Sequence, residues 1–309
     1  MVHNYAIINT LLIFNTLCGI YGGNMTTAAK TFSGIIASLL MFVSGCGNTE
    51  NIDSTINNTT GTGESNSQIT ENEEMTDGTF TFAPTAENVK LIGRTAEHDG
   101  ILWLALSASG VEFTFTGTKA SVTIIGDSMI NSGTEKQARF AVYINGERTM
   151  DEQVDMAEEV YEIYSSDAEQ QTTVKILKLS EAAESTFGIK DITVEGSNVA
   201  PTAAKDLKIE FIGDSITCGY GVDDEVKEHH FATSTEDATK AYAYKTAQLL
   251  DADYSLVSYS GHGIISGYTT NDQKQTGQLV PDIYEQFAKS CGNYDGVFNV
   301  SSVAWDFSK

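Results

Sequence analysis

The sequence predicts an antiparallel β domain followed by the start of an α/β domain with a parallel sheet. Three observations carry this. From about Thr79 to Ala200, short runs alternate apolar with polar residues and are broken by turn signals, as half-buried strands of a sandwich or jelly roll should be. After Pro201 to Asp206 the order becomes strand, loop, helix, strand, which is a βαβ unit and so a parallel pair. Ahead of both lies a polar tract, Gly47 to Gly78, rich in Asn, Thr, Ser and Glu and poor in apolar residues. A chain of that composition is a disordered tether. The resulting division is a leader at 1–46, the tether at 47–78, the β domain at 79–203 and the α/β domain at 204–309.

In the front domain, Val111, Phe113 and Phe115 share one face of a strand, and Ala120 to Ile125 repeats the alternation. Phe140 to Ile144 is a strand that runs into Asn145-Gly146, a hairpin signal because both residues accept positive φ. Thr172 to Leu179 and Ile189 to Glu195 continue the set. In the second domain Leu207 to Ile212 is a strand, Thr239 to Leu250 a helix with Ala243, Ala247 and Leu250 on one face, and Tyr254 to Tyr259 a second strand. Val280 to Ala288 is expected as a further helix and Val297 to Val300 as a further strand.

The leader reads as an export signal. Met25 is followed by Lys30, the apolar run Phe32 to Val43, and Ser44-Gly45-Cys46. A basic start, a short apolar core and small residues before a cut site are the signal-peptide pattern, and the run is short for a membrane span of about 20 residues. Val43-Ser44-Gly45-Cys46 resembles the bacterial lipobox, which implies lipidation of Cys46 and a cell-surface lipoprotein. A second apolar stretch, Tyr5 to Tyr21, precedes Met25. Either Met25 is the true start, or the two stretches form one long signal-anchor.

The 309 residues carry 18 basic and 42 acidic side chains, a net charge of -24. That field repels nucleic acid and anionic lipid, so no nucleic-acid partner and no membrane contact beyond the lipid anchor are expected. A neutral polysaccharide is not repelled. Cys18, Cys46, Cys218 and Cys291 have the spacing of neither a zinc site nor a CxxC motif. Cys218 and Cys291 are expected as buried free thiols, and no metal or cofactor is expected.

The chemistry lies in Gly213-Asp214-Ser215-Ile216-Thr217-Cys218-Gly219-Tyr220-Gly221, directly after the first parallel strand. A serine there sits at the rim where α/β sheets place their sites. A helix beginning at Ser215 would aim free N–H groups at the oxyanion formed when the serine attacks an ester. Ser215 is not in G-x-S-x-G, since Thr217 stands where the second glycine belongs. Gly219-Tyr220-Gly221 lacks the third glycine of a dinucleotide fingerprint, and no P-loop lysine follows. A plain glycine-rich turn is the competing reading.

Gly213 to Thr217 resembles the first block of the SGNH (GDSL) hydrolases, and Ser258-Tyr259-Ser260-Gly261-His262-Gly263-Ile264 resembles the second. The resemblance implies a three-layer α/β domain, Ser215 as nucleophile, and a glycine N–H of the second block as oxyanion donor. Gly263 is the better match by spacing and Gly261 the second choice. Val89 to Thr95, Leu102-Trp103 and Ser107 to Thr116 look like the jelly-roll domain of carbohydrate esterase family 2. That family implies serine-catalysed removal of acetyl groups from plant-wall polysaccharides such as xylan or mannan.

The SGNH pattern also calls for an oxyanion Asn and a base His in later blocks. Neither is found, so the chain is expected to be a fragment with weak activity at best. His229 and His230 read as a surface loop, His98 as a turn residue, and His262 as lining the site rather than as the base. Trp103 could stack on a sugar, though a core position is the simpler expectation. Two functions stand against each other: an acetyl esterase of which this chain is an incomplete copy, and a surface-tethered carbohydrate-binding protein with a missing or degenerate catalytic half.

Overall fold

The computed structural model describes residues 6–9, 78–296 and 298–308. Cys46 and the tether, apart from Gly78, lie outside the described residues, as does the leader apart from 6–9. Strands β2 (Gly78–Phe82), β3 (Lys90–Ile92), β4 (Thr95–His98), β5 (Ile101–Leu104), β6 (Gly110–Gly126), β7 (Arg139–Ile144), β8 (Glu147–Gln153), β9 (Glu158–Lys178) and β10 (Phe187–Pro201) form one antiparallel sheet system. Its path runs β4-β5-β10-β6-β9-β7-β8, with β2 against β10 and β3 against β6. Three strands are long because shifts in register let them bend; β6 against β9 slips between Gly117 and Lys119, as a bulge allows.

The alternation in β6 has its expected cause. Val111, Phe113 and Phe115 are fully buried beside Val122, Ile124, Phe140 and Phe187, while Glu112, Thr114 and Thr116 face outward and are half-buried. The β7–β8 hairpin turns on Asn145 (φ 51°) and Gly146 (φ 88°), a two-residue turn whose twist matches the strands.

Strands β11 (Leu207–Gly213) and β12 (Ala252–Ser258) pair in parallel, from Leu207 with Ala252 to Gly213 with Ser258. Between them lie α1 (Ser215–Cys218) and α2 (Tyr242–Leu249). Ala243 and Ala247 of α2 pack on Ile209 and Phe211, together with Ile92, Ala108 and Leu177 of the β domain. The two domains therefore share a core. The other edge of β11 pairs in parallel with β1 (Ala6–Asn9), within the stretch expected as leader.

Two expected elements are corrected. Val280 to Ala288 is a single 3-10 turn, Val280–Asp282, followed by a further turn through Glu285 and an isolated bridge from Gln286 to Ala304. The Arg94 guanidinium takes the carbonyls of Tyr284 (2.7 Å) and Gln286 (3.0 Å), and Phe287 N–H donates to Val303 O. The carbonyls a helix would use are thus spent elsewhere. Of the expected strand Val297 to Val300, the described residues Phe298 to Val300 form no strand: the Asn299 side chain accepts from Ser301 N–H at 2.7 Å and caps the 3-10 turn Val300–Ser302.

Candidate active site

The site is built where β11 and β12 end side by side. Because Gly213 pairs with Ser258, the loops that begin at Asp214 and Tyr259 leave the same rim of the sheet. Asp214 is the N-cap of α1: its Oδ1 accepts from Ile216 N–H at 3.0 Å, and its carbonyl accepts from Thr217 and Cys218. Gly219, at φ 81°, ends the helix, and its N–H donates to Ser215 O at 3.1 Å. Ser215 is half-buried at the first helical position. Among the described residues neither its N–H nor its hydroxyl has a hydrogen-bond partner. Thr217 and Cys218 point inward; Thr217 meets the Tyr242 hydroxyl at 3.1 Å.

The second loop engages the N–H of one candidate glycine and leaves that of the other free. Gly263 N–H donates to Gln278 O at 3.1 Å, and Gly263 O accepts from Val280 N–H. Chain returning at Gln278 to Val280 has occupied that donor. Gly261 N–H has no acceptor among the described residues, and Gly261 holds a φ of 75° that turns the loop. The structure therefore favours Gly261 over Gly263 as the available donor. His262 is 9% exposed; its Nδ1 lies 3.1 Å from Ser260 O, and its Nε2 is buried without a partner. It lines, with Gly213, Asp214, Gly263 and Ile264, a hollow of only about 10 Å³ beside the serine. That is room for about one water, and Ser215 is half-buried at the rim next to it. Ile216, Ile265 and Tyr268 are exposed around it.

Beneath the rim lies a buried charge cluster that the sequence did not announce. Lys178, at the end of β9, donates to Ser180 O (2.7 Å), Glu181 O (2.8 Å) and Ser180 Oγ (3.2 Å). Glu236 Oε2 accepts from Glu181 N–H at 2.6 Å. Glu181 Oε2 accepts from Ser260 N–H at 2.7 Å and from the Cys218 thiol at 3.6 Å. Burial raises the carboxyls of Glu181 and Glu236 above the usual range and pushes Lys178 down to about 8. Burial also raises the Cys218 thiol, with the nearby Glu181 and Glu236 adding to it, so this cysteine is no nucleophile. One donor atom each from Glu181, Cys218 and Glu236 lies within 4.8 Å of the others. Two of those groups are already committed to N–H donors, and Lys178 supplies the balancing cation, which makes the trio a poor cage for a metal.

The remaining sequence candidates lie elsewhere. Cys291 is exposed rather than buried, unlike Cys218. His229 and His230 are exposed, with His229 Nδ1 3.0 Å from Asp224. His98 stacks on Phe298, with centroids 4.0 Å apart. Trp103 is 1% exposed and packs on Tyr294 and Phe298, which rules out a sugar platform. A groove of about 640 Å³ lies nearer the N-terminal ends of β11 and β12, away from Ser215. It is lined by Lys208, Glu210, Tyr254 and Tyr284 together with Trp305 and Phe307, whose rings sit over the buried Arg94 guanidinium.

Residues 91–202 match the N-terminal domain of carbohydrate esterase 2. The chain is 33% identical over 207 residues to the cellulase/esterase CelE of Acetivibrio thermocellus, covering 66% of this chain and 23% of that protein. It is 23% identical over 216 residues to an acetylxylan esterase / glucomannan deacetylase of Cellvibrio japonicus, covering 69% of this chain and 57% of that one. The chain thus spans between about a quarter and somewhat over half of these curated relatives. A family 2 carbohydrate esterase from Clostridium thermocellum, solved with cellohexaose, superposes with a TM-score of 0.58 at 28% identity, covering 71% of this chain and 62% of that one. The antiparallel front domain, the small parallel sheet that follows it and these matches agree: residues 91–202 match the family 2 carbohydrate esterase N-terminal domain, and the matches beyond it support membership of that family.

Proposed function

We propose that this chain is part of a carbohydrate O-acetyl esterase that removes acetyl groups from neutral plant-wall polysaccharide of the xylan or mannan kind, through an acyl-enzyme on Ser215. One observation carries this reading. Ser215 sits at the start of α1, on the rim of the parallel sheet, with its hydroxyl and N–H both unengaged, beside a second unengaged N–H on Gly261. A nucleophile and two donors at one rim are what ester attack requires. The serine oxygen attacks the acetyl carbon, and the N–H groups of Ser215 and Gly261 hold the negative oxygen of the tetrahedral intermediate. The sugar hydroxyl leaves with a proton, and water then releases acetate. Among the described residues no histidine is hydrogen-bonded to Ser215. The rim position fits a polymer lying across the surface, and the net charge of -24 fits a neutral one. The order of signal, lipobox and polar tether before the β domain supports an exported protein anchored to the cell surface through Cys46.

The test is hydrolysis of acetylated xylan and of an aryl acetate by the full-length protein and by its Ser215→Ala variant. Acetate release should fall by at least about 100-fold in the variant. A variant that kept its activity would overturn the assignment of the nucleophile.

A further inference from the structure

We propose that Glu181, a side chain of the β domain, is a positioning residue that clamps together the two loops framing the oxyanion position. This rests on the reading of Ser215 and Gly261 given above. Glu181 follows β9 in the connection to β10 and is 2% exposed. Its backbone is fixed on both sides: the N–H by Glu236 Oε2 at 2.6 Å, the carbonyl by Lys178 Nζ at 2.8 Å. Its side chain is therefore delivered from a rigid base. A single oxygen, Oε2, then touches both loops. It accepts from Ser260 N–H, the residue before Gly261, and from the thiol of Cys218, the last residue of the helix that Ser215 begins.

α1 is four residues long, and a helix that short has little cohesion of its own. Loop 259–263 is held by Tyr259 N–H to Gly213 O, by its internal His262 N–H to Tyr259 O, and on its far side by Tyr268 N–H to Gly261 O and by Gly263 to Gln278 and Val280; its Ser260 amide is held by Glu181. Glu181 supplies the link between the two loops that does not run through the sheet. An oxyanion donor acts only when aimed at the developing charge, and displacement by about 1 Å can cost about 100-fold in rate. Both contacts are made to an acceptor oxygen of a carboxyl that burial raises above its ordinary value. What matters at this position is thus reach and acceptor geometry rather than charge. It follows that the β domain is part of the catalytic scaffold, beyond any part it has in holding substrate.

The experiment compares Glu181→Gln, Glu181→Asp and Glu181→Ala with the wild-type chain, reading aryl acetate kinetics and hydrogen exchange at the Ser260 amide. Gln keeps the length and an acceptor oxygen; Asp keeps the charge but falls one methylene short. The expected order of kcat is Gln above Asp above Ala, with Ala about 100-fold below wild type and KM held within about threefold. Ser260 exchange should stay slow in Gln and become fast in Asp and Ala. Asp retaining more activity than Gln would overturn the proposal in favour of a charge effect. So would unchanged Ser260 exchange in a folded Glu181→Asp, which also serves if Glu181→Ala does not fold. Activity that is insensitive to Ser215→Ala would overturn the functional reading alone, and the exchange measurement would still decide the clamp.

Discussion

Substituting Gly219 by Ala should damage the site more than the same change two residues on. Gly219 ends α1 with φ 81°, and a Cβ there would lie 2.3 Å from Asp237 O, 2.6 Å from Asp237 C and 2.9 Å from Ala238 N. These are backbone atoms that cannot swing aside. Asp237 is itself pinned: Oδ2 pairs with Arg148 at 2.8 Å, Oδ1 accepts from Thr239 N–H and hydroxyl, and Asp237 N–H donates to Gly219 O. Gly221 has φ 62° with nothing within 4 Å of a built Cβ. Ala at Gly221 therefore meets only the left-handed backbone cost of about 1 kcal/mol. Ala at Gly219 meets the same cost plus an overpacking of about 1–3 kcal/mol, a total of about 2–4 kcal/mol. Urea unfolding of both variants reads the difference directly as a shift in midpoint at constant slope. The relief of the clash pushes on the C-terminus of a four-residue helix, so kcat should fall in Gly219→Ala and hold in Gly221→Ala. Two variants equal in stability within about 0.5 kcal/mol would show that the Asp237 segment yields and that no clash penalises Ala at Gly219.

Glu236→Gln should change how stability depends on pH. Burial, then the charge of Glu181, raises the Glu236 carboxyl well above its ordinary value of 4.5. The folded state thus keeps a proton that the unfolded chain releases, so this contribution is complete below about pH 4.5 and lost as pH rises through the raised value. Gln cannot lose that proton, so thermal unfolding from pH 4.5 to 8 should show the variant gaining on wild type as pH rises; parallel curves would refute the assignment. The anchor proposal predicts a mature N-terminus at Cys46 carrying lipid, checked by mass spectrometry of the exported protein; a mature chain that still holds residues 25–45 would count against it.

Local rules made part of this fold legible. Asn145-Gly146 announced its hairpin because the turn needs two positive φ values, and both are found. Val111, Phe113 and Phe115 announced a buried face because side chains alternate with a period of two. Ser215 was placed by the apolar strand before it. The charge cluster was illegible for a different reason. Glu181 stands in Ser180-Glu181-Ala182-Ala183-Glu184, which reads as a solvated acidic run, and its partners are Ser260 and Glu236, distant in sequence. One signal was there: Lys178 interrupts the apolar run Val174, Ile176, Leu177, Leu179, and a lysine in a buried strand end requires acceptors nearby. Arg94 gave the same kind of warning, and it is Arg94 that turns Tyr284 to Gln286 away from the expected helix.

The choice between Gly261 and Gly263 shows where motif spacing stops. Spacing along the chain counts residues from the strand and picks Gly263. A donor is useful only if its N–H is free, and freedom depends on what comes back across it. Here Leu279 pairs with Gly263 as an isolated parallel bridge, and Gln278 O takes the N–H. Nothing within Ser258 to Ile264 encodes that return. The left-handed φ of Gly261 belongs to the motif itself and turns the loop at that residue, and Ser260 N–H, one residue earlier, goes down to Glu181. With Ser260 N–H bonded to Glu181, His262 N–H to Tyr259 within the loop and Gly263 N–H to the returning chain, Gly261 has the one N–H from Ser260 to Gly263 without an acceptor among the described residues. The free N–H is found by elimination among hydrogen bonds, and two of the three acceptors in that elimination, Gln278 and Glu181, lie outside the local motif, while the third, Tyr259, lies within it.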